Sequence, residues 1–120
     1  MENILEIKEG CLSGATSYEV AELAVKILDS KLASEIKLLK IDAKTVIADY
    51  FVICSGTSTT QVKGLADEVA FQLKQQGREP ARTEGYESGS WILLDYLDVV
   101  VQVFLQSERE FYSLDKLWQA

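Results

Sequence analysis

The run Val99-Val100-Val101 constrains this chain more than any other feature. Valine favours a pleated, packed surface, and a run without polar alternation suits a central strand covered on both faces. It sits in the stretch Glu84–Phe104, EGYESGSWILLDYLDVVVQVF, which divides into two strands, Trp91–Leu94 and Val99–Phe104. Asp95-Tyr96-Leu97-Asp98 connects them. The stretch has no Lys or Arg and four acids, Glu84, Glu87, Asp95 and Asp98. An indole at Trp91 beside an acidic turn reads as a surface for a basic partner, and the rest of the chain as its frame.

Residues 1–14 have weak periodicity and read as a flexible N-terminal extension to one domain, 15–120. Thr16 and Glu19 have capping-box spacing, and Val20, Leu23, Ala24, Ile27 and Leu28 give one apolar helical face that fades near Lys31–Ala33. Ile36–Ile41 reads as a strand, Asp42–Thr45 as a polar connection, and Asp49–Cys54 as a second strand whose continuous apolar core suits a central place. A second helix opens near Ser58, with Gln61 again at capping-box spacing; Val62, Leu65, Ala66, Val69 and Leu73 are its buried face and Gly77 its terminator. Pro80–Thr83 suits a short edge strand ahead of the hairpin, Ser107–Tyr112 reads as a polar, charged turn of helix, and Leu114–Trp118 closes the chain. The order α-β-β-α-β-β-β-α predicts an α/β fold, a single-domain mixed sheet of about five strands with flanking helices.

Composition narrows the function. No apolar run approaches the ~20 residues that span a bilayer, and the start MENILEIKEG lacks a secretory signal, so the expected location is cytoplasmic, with no membrane partner. A net charge of −7 argues against a phosphate-binding surface and leaves two readings, plain solubility or a basic protein partner. Cys11 and Cys54 lie far apart in dissimilar contexts, which suggests neither a disulfide framework nor a zinc site. The chain has no histidine, which removes every His-based triad, shuttle and metal site.

Two motifs invite catalytic readings. Ser55-Gly56-Thr57-Ser58-Thr59-Thr60 joins a strand to a helix and can cradle a phosphate, but it lacks the glycine-lysine pattern of a phosphate loop, and capping explains Ser58. Asp95 and Asp98 can bind metal, but such sites need several converging acids, and a turn between strands favours Asp by itself. Trp91 follows a flexible, acidic lead-in, Glu87-Ser88-Gly89-Ser90, at the exposed start of its strand. The local residues leave both core filling and an interface anchor open for it.

Three segments together, Ile47–Val69, Arg82–Phe104 and REFYSLDKLW at Arg109–Trp118, resemble the Iojap family of bacterial ribosomal silencing factors. The resemblance implies binding to the large ribosomal subunit through ribosomal protein L-fourteen, with little direct nucleic-acid contact. It implies a block on joining of the small subunit, and so silencing of translation when nutrients are short. It further implies a nucleotidyltransferase-like fold without the active site, no catalytic residue, no metal, no cofactor, and homodimers.

By the same resemblance, Trp91 and Tyr112 are partner-facing, Asp95 and Asp98 form an acidic turn, and Lys116, Leu117 and Trp118 form a C-terminal signature. Leu93 and Gln102 complete the implied partner-binding set. Two positions depart from the family pattern: Leu97 stands where Gly is usual and should alter the turn, and Gln102 where His is usual, so a titrating role there is lost. The alternatives are a nucleotidyltransferase-like enzyme using Ser55–Ser58 with Asp95 and Asp98, and a structural dimerisation domain.

Overall fold

In the computed structural model, which describes residues 16–41 and 48–107, helix α1 spans Ser17–Ser30. It starts where Thr16 and Glu19 satisfy each other: Glu19 N donates to Thr16 Oγ1 at 3.2 Å, and Thr16 N donates to Glu19 Oε1 at 2.9 Å. These bonds take up backbone donors that the first turn leaves open. Val20, Ala21, Leu23, Ala24, Ile27 and Leu28 form its buried face. The helix ends at Lys31; Leu32 then takes φ 64°, and Ala33 N donates back to Leu28 O at 3.0 Å.

Strands β1 (Ser34–Lys40) and β2 (Tyr50–Gly56) follow, then α2 (Thr59–Gln75), β3 (Arg82–Glu84), β4 (Trp91–Asp95) and β5 (Val99–Leu105). They build one mixed sheet in the order β1-β2-β5-β4-β3. β2 and β5 run parallel and the other neighbours antiparallel. The two strands with unbroken apolar runs lie side by side inside the sheet and are buried along nearly their whole length, as packing on both faces requires. Their parallel pairing needs a crossover, and α2 with the β3–β4 hairpin supplies the intervening chain.

Alternation along the strands sorts the core into two layers. Val52, Cys54, Ile92, Leu94, Val99, Val101 and Val103 face α1 and α2, and the thiol of Cys54 is buried among them. Phe51, Ile53, Val100 and Phe104 point the other way and cluster with Ala48; Leu39, Ile41, Trp91 and Leu93 pack around them. Among the described residues both helices lie on the first face.

Helix α2 begins as its sequence suggests, with one change. Gln61 N donates to Ser58 Oγ at 3.1 Å, but the Gln61 side chain reaches past Ser58 and accepts from Thr57 N at 2.7 Å. At its far end Gly77 N donates to Lys74 O at 3.0 Å and Arg78 N to Leu73 O at 2.8 Å, the Schellman pattern. That closure delivers Arg78 to the end of the β4–β5 hairpin. The short edge strand starts at Arg82 rather than Pro80, since proline has no N–H to give a ladder. The 1–14 extension, the 42–45 connection and the segment beyond Ser107 lie outside the described residues.

Candidate partner-binding face of the sheet

The ladder registers place two rows of side chains across the face opposite the helices. One row runs Glu84, Leu93, Gln102, Ile53, Lys37; the next runs Arg82, Asp95, Val100, Phe51, Leu39. Four of the expected site residues therefore share one surface: Trp91, Leu93 and Asp95 from β4 and Gln102 from β5. Asp98 stands at the turn between them. Tyr112, Lys116 and Leu117 lie outside the described residues.

Trp91 is half-buried, with its ring centroid 5.0 Å from that of Phe104 and the planes 31° apart. Its Nε1–H donates to Gln102 Oε1 at 3.1 Å. Phe104 is the direct cross-strand partner of Trp91 and Gln102 the diagonal one, so one aromatic side chain spans both. The ring is thus both part of the second core layer and part of its rim.

The segment before Trp91 makes contacts of its own with α2. Tyr86 OH donates to Asp67 Oδ2 at 3.0 Å, Lys63 Nζ stands 5.6 Å from the Tyr86 ring centroid, and Gly89 N donates to Gly85 O at 3.2 Å. Gly85 has φ 77°, and a Cβ there would fall 2.0 Å from the Trp91 carbonyl oxygen, so only glycine fits. The phenol of Tyr86 is raised by its hydrogen bond to Asp67, then by burial and the nearby charge. α2 and this loop together fix where β4 begins.

The acidic turn is not left bare. Asp95 Oδ1 accepts from Leu97 N at 2.8 Å, the local turn bond for which Asp is favoured, and Asp95 Oδ2 accepts from Arg82 Nη2 at 3.0 Å. Arg82 also meets Glu84 at 3.2 Å, and Arg78 Nη2 meets Asp98 Oδ1 at 2.5 Å. The stretch Glu84–Phe104 contains no base, but arginines from just before it fold over its acids. Leu97 adopts φ 76° within the turn, so this leucine stands in the left-handed region that glycine enters without strain.

Ser58 and Thr57 are engaged with Gln61 at the start of α2, as a cap requires. Among the described residues no three of His, Cys, Asp and Glu converge as metal ligands, and no helix is long and apolar enough to cross a membrane. Tyr96 at the hairpin end is 3% exposed and its hydroxyl has no hydrogen-bond partner among the described residues. Burial pushes that phenol well up, and the nearby Arg78 pulls the other way.

Sequence reasoning missed Phe51, Ile53, Val100 and Phe104 as the floor of this face, and Arg78 and Arg82 as partners of its acids. Apolar runs hide the phase of alternation, so only the register with β4 could have revealed which valine points where.

The model of the family described as "Ribosomal silencing factor during starvation" (RsfS) matches residues 14–120. The ribosomal silencing factor RsfS of Halalkalibacterium halodurans is 43% identical over 103 residues, covering 86% of this chain and 88% of that protein. A crystal structure of a Chromobacterium violaceum protein superposes with a TM-score of 0.81 at 35% identity, covering 86% of each chain. More distantly, the mouse protein named mitochondrial assembly of ribosomal large subunit protein 1 is 29% identical over 100 residues, 81% of this chain and 44% of that one.

Proposed function

This chain belongs to the ribosomal silencing factor family, RsfS, and on that premise we propose that it binds the large ribosomal subunit through ribosomal protein L-fourteen. The bound protein then blocks joining of the small subunit and represses translation under nutrient limitation, in the cytoplasm. The reading rests on one observation above the others. The sheet face opposite the helices carries a half-buried indole, Trp91, and a half-buried Leu93 beside the paired acids of the hairpin turn. Such a half-apolar, half-polar rim is the composition of a protein contact.

Asp95, Asp98 and Gln102 complete the contact on this surface, and Tyr112, Lys116 and Leu117 belong to the same reading. A chain of net charge −7 is repelled by ribosomal RNA, so its contact is a basic ribosomal protein. The name of the mouse relative points to the large subunit. Silencing by obstruction needs no catalytic group, metal or cofactor: a rigid body where another subunit must sit is sufficient. Self-association as a homodimer is part of the same reading, checked by sedimentation equilibrium of the protein alone.

The test is sucrose-gradient sedimentation with purified subunits. The protein is expected to travel with large subunits, not small ones, and to lower the yield of joined ribosomes when added first. Failure to travel with large subunits, or unchanged joining at saturation, overturns the proposal. Incubation with nucleoside triphosphates and Mg²⁺ tests the enzyme alternative; turnover abolished by Asp95→Asn and Asp98→Asn would restore it.

A further inference from the structure

The β4–β5 hairpin turns on Leu97 and Asp98, between Tyr96 and Val99, where Tyr96 N donates to Val99 O at 2.9 Å. Of the two, only Leu97 has positive φ, 76°, at the position where a turn of this kind takes glycine. Asp98 N donates to Tyr96 O at 3.0 Å and so closes a three-residue γ-turn around Leu97. With positive φ at its centre, that turn is of the rare, strained hand. Three further bonds hold it: Leu97 N donates to Asp95 Oδ1 at 2.8 Å, and Arg78 reaches both the Tyr96 carbonyl and Asp98. The residue held in this way carries a leucine side chain that is 61% exposed. A strained backbone and a bare apolar side chain are separate costs at one position, and glycine would avoid both.

We propose that Leu97 is a specificity-determining anchor of the docking contact, and that its side chain enters an apolar depression on the basic partner protein. The inference rests on the docking reading above and deepens it. Leu97 borders the docking face: it lies just beyond Asp95, the last residue of the strand that carries Trp91 and Leu93, and its N–H is bound by the Asp95 carboxylate. The surroundings select the class of partner. Asp49 is exposed beside the turn, its N–H donating to Asp98 O, and adds a third acid to Asp95 and Asp98 against the guanidiniums of Arg78 and Arg82. A leucine set among excess negative charge is kept off RNA phosphate and anionic lipid, and suits an apolar depression with a basic border. Burying that side chain in a contact offsets what its exposure and its backbone cost the free chain.

Three substitutions separate the side chain from the turn that carries it. Leu97→Gly relieves the backbone and removes the side chain, Leu97→Ala removes the side chain but keeps the crowded Cβ, and Leu97→Met keeps an apolar side chain of similar volume. Binding of purified large subunits is expected to weaken about tenfold for Leu97→Gly and Leu97→Ala, and by no more than ~3-fold for Leu97→Met. Leu32→Gly is the control, since Leu32 also has positive φ but precedes Ser34, which pairs with Ser55 near the end of β2, whereas Val99 pairs with Tyr50 at its start. It relieves the same strain at the opposite end of the sheet and is expected to bind like the unaltered protein. All variants are compared at a temperature where melting curves show them folded; should Leu97→Gly be unstable, Leu97→Ala against Leu97→Met decides. Unchanged binding by Leu97→Ala overturns the inference, because any loss in Leu97→Gly then belongs to the turn and not to the side chain. Loss by Leu97→Met equal to that of Leu97→Ala, or by Leu32→Gly equal to that of Leu97→Gly, overturns it as well. If Leu97→Ala binds large subunits normally but self-associates more weakly in sedimentation equilibrium, the side chain serves a second copy of the chain and the inference falls. No binding by the unaltered protein overturns the docking reading itself, and this inference with it.

Discussion

Arg78 and Asp98 meet at 2.5 Å, tying the C-terminal end of α2 to the far end of the β4–β5 hairpin. The same guanidinium nitrogen donates to the Tyr96 carbonyl at 3.3 Å. The Schellman closure at Gly77 fixes where Arg78 emerges, so a helix stop in the sequence becomes a clamp on the turn that borders the docking face.

Arg78→Met is expected to destabilise the fold by about 1–2 kcal/mol. Hydrogen bonds to charged groups are worth ~1.5–3 kcal/mol, and the side chains here are 19% and 32% exposed, so solvent lowers the figure. Urea unfolding checks it, within a double-mutant cycle with Asp98→Asn. A cycle with no coupling would show that the pair is solvated away.

Tyr96→Phe is expected to stabilise the protein at neutral pH by ~1 kcal/mol, because it removes a buried hydroxyl that has no partner among the described residues. It should also flatten the alkaline limb of the stability curve. Burial raises the folded phenol above its ordinary 10.0, so above that pH the unfolded chain loses its proton while the folded one keeps it. Stability is therefore fully present below pH 10.0 and falls as pH rises through and beyond it, by up to ~1.4 kcal/mol per pH unit. Urea midpoints from pH 8 to 11 for both proteins measure the difference. Equal slopes would show that Tyr96 ionises without unfolding.

The strands and helices were legible because each carried a local signal. The valine run marked β5 as central, the Thr16–Glu19 pair marked the start of α1, and Gly77 marked the end of α2. The binding face was only half legible. Trp91, Asp95 and Gln102 stand out as residue types, but Phe51 and Val100 look like any core residue until the register with β4 fixes their side. The pairing of Asp95 with Arg82 and of Asp98 with Arg78 was hidden for another reason. Those contacts join residues 13 and 20 positions apart, which no local spacing rule reaches.

Leu97→Gly and Leu32→Gly are each expected to stabilise the chain by ~0.5–1 kcal/mol. Both leucines hold positive φ, 76° and 64°, and both are exposed, so their side chains pack little that would be lost. A non-glycine residue there costs ~1–2 kcal/mol, and the greater freedom of glycine in the unfolded chain takes back ~0.5–1. Alanine keeps the crowded Cβ and should gain nothing. Thermal melting of the four variants decides it; destabilisation by glycine would mean that the leucine side chains make contacts worth more than the strain.

Trp91→Ala should lower both stability and binding, because the ring is shared between core and rim. Truncation uncovers Phe104 and leaves Gln102 Oε1 without its indole donor. A fully buried aromatic costs ~3–5 kcal/mol when cut to alanine, so a half-buried one should cost about 1.5–3 kcal/mol. Affinity for large subunits should fall by ~2 kcal/mol, about 30-fold, as for other aromatic anchors. Phe71→Ala is the control: Phe71 is 58% exposed on α2, in the helical layer on the other side of the sheet, and should shift stability by no more than ~0.5 kcal/mol and leave binding intact. Both variants are compared with the unaltered protein at a temperature where melting curves show all three folded. If folded Trp91→Ala binds as tightly as the unaltered protein, the contact does not lie on the face of Trp91 and Gln102. If Phe71→Ala is the one that weakens binding, the helical layer carries the contact instead.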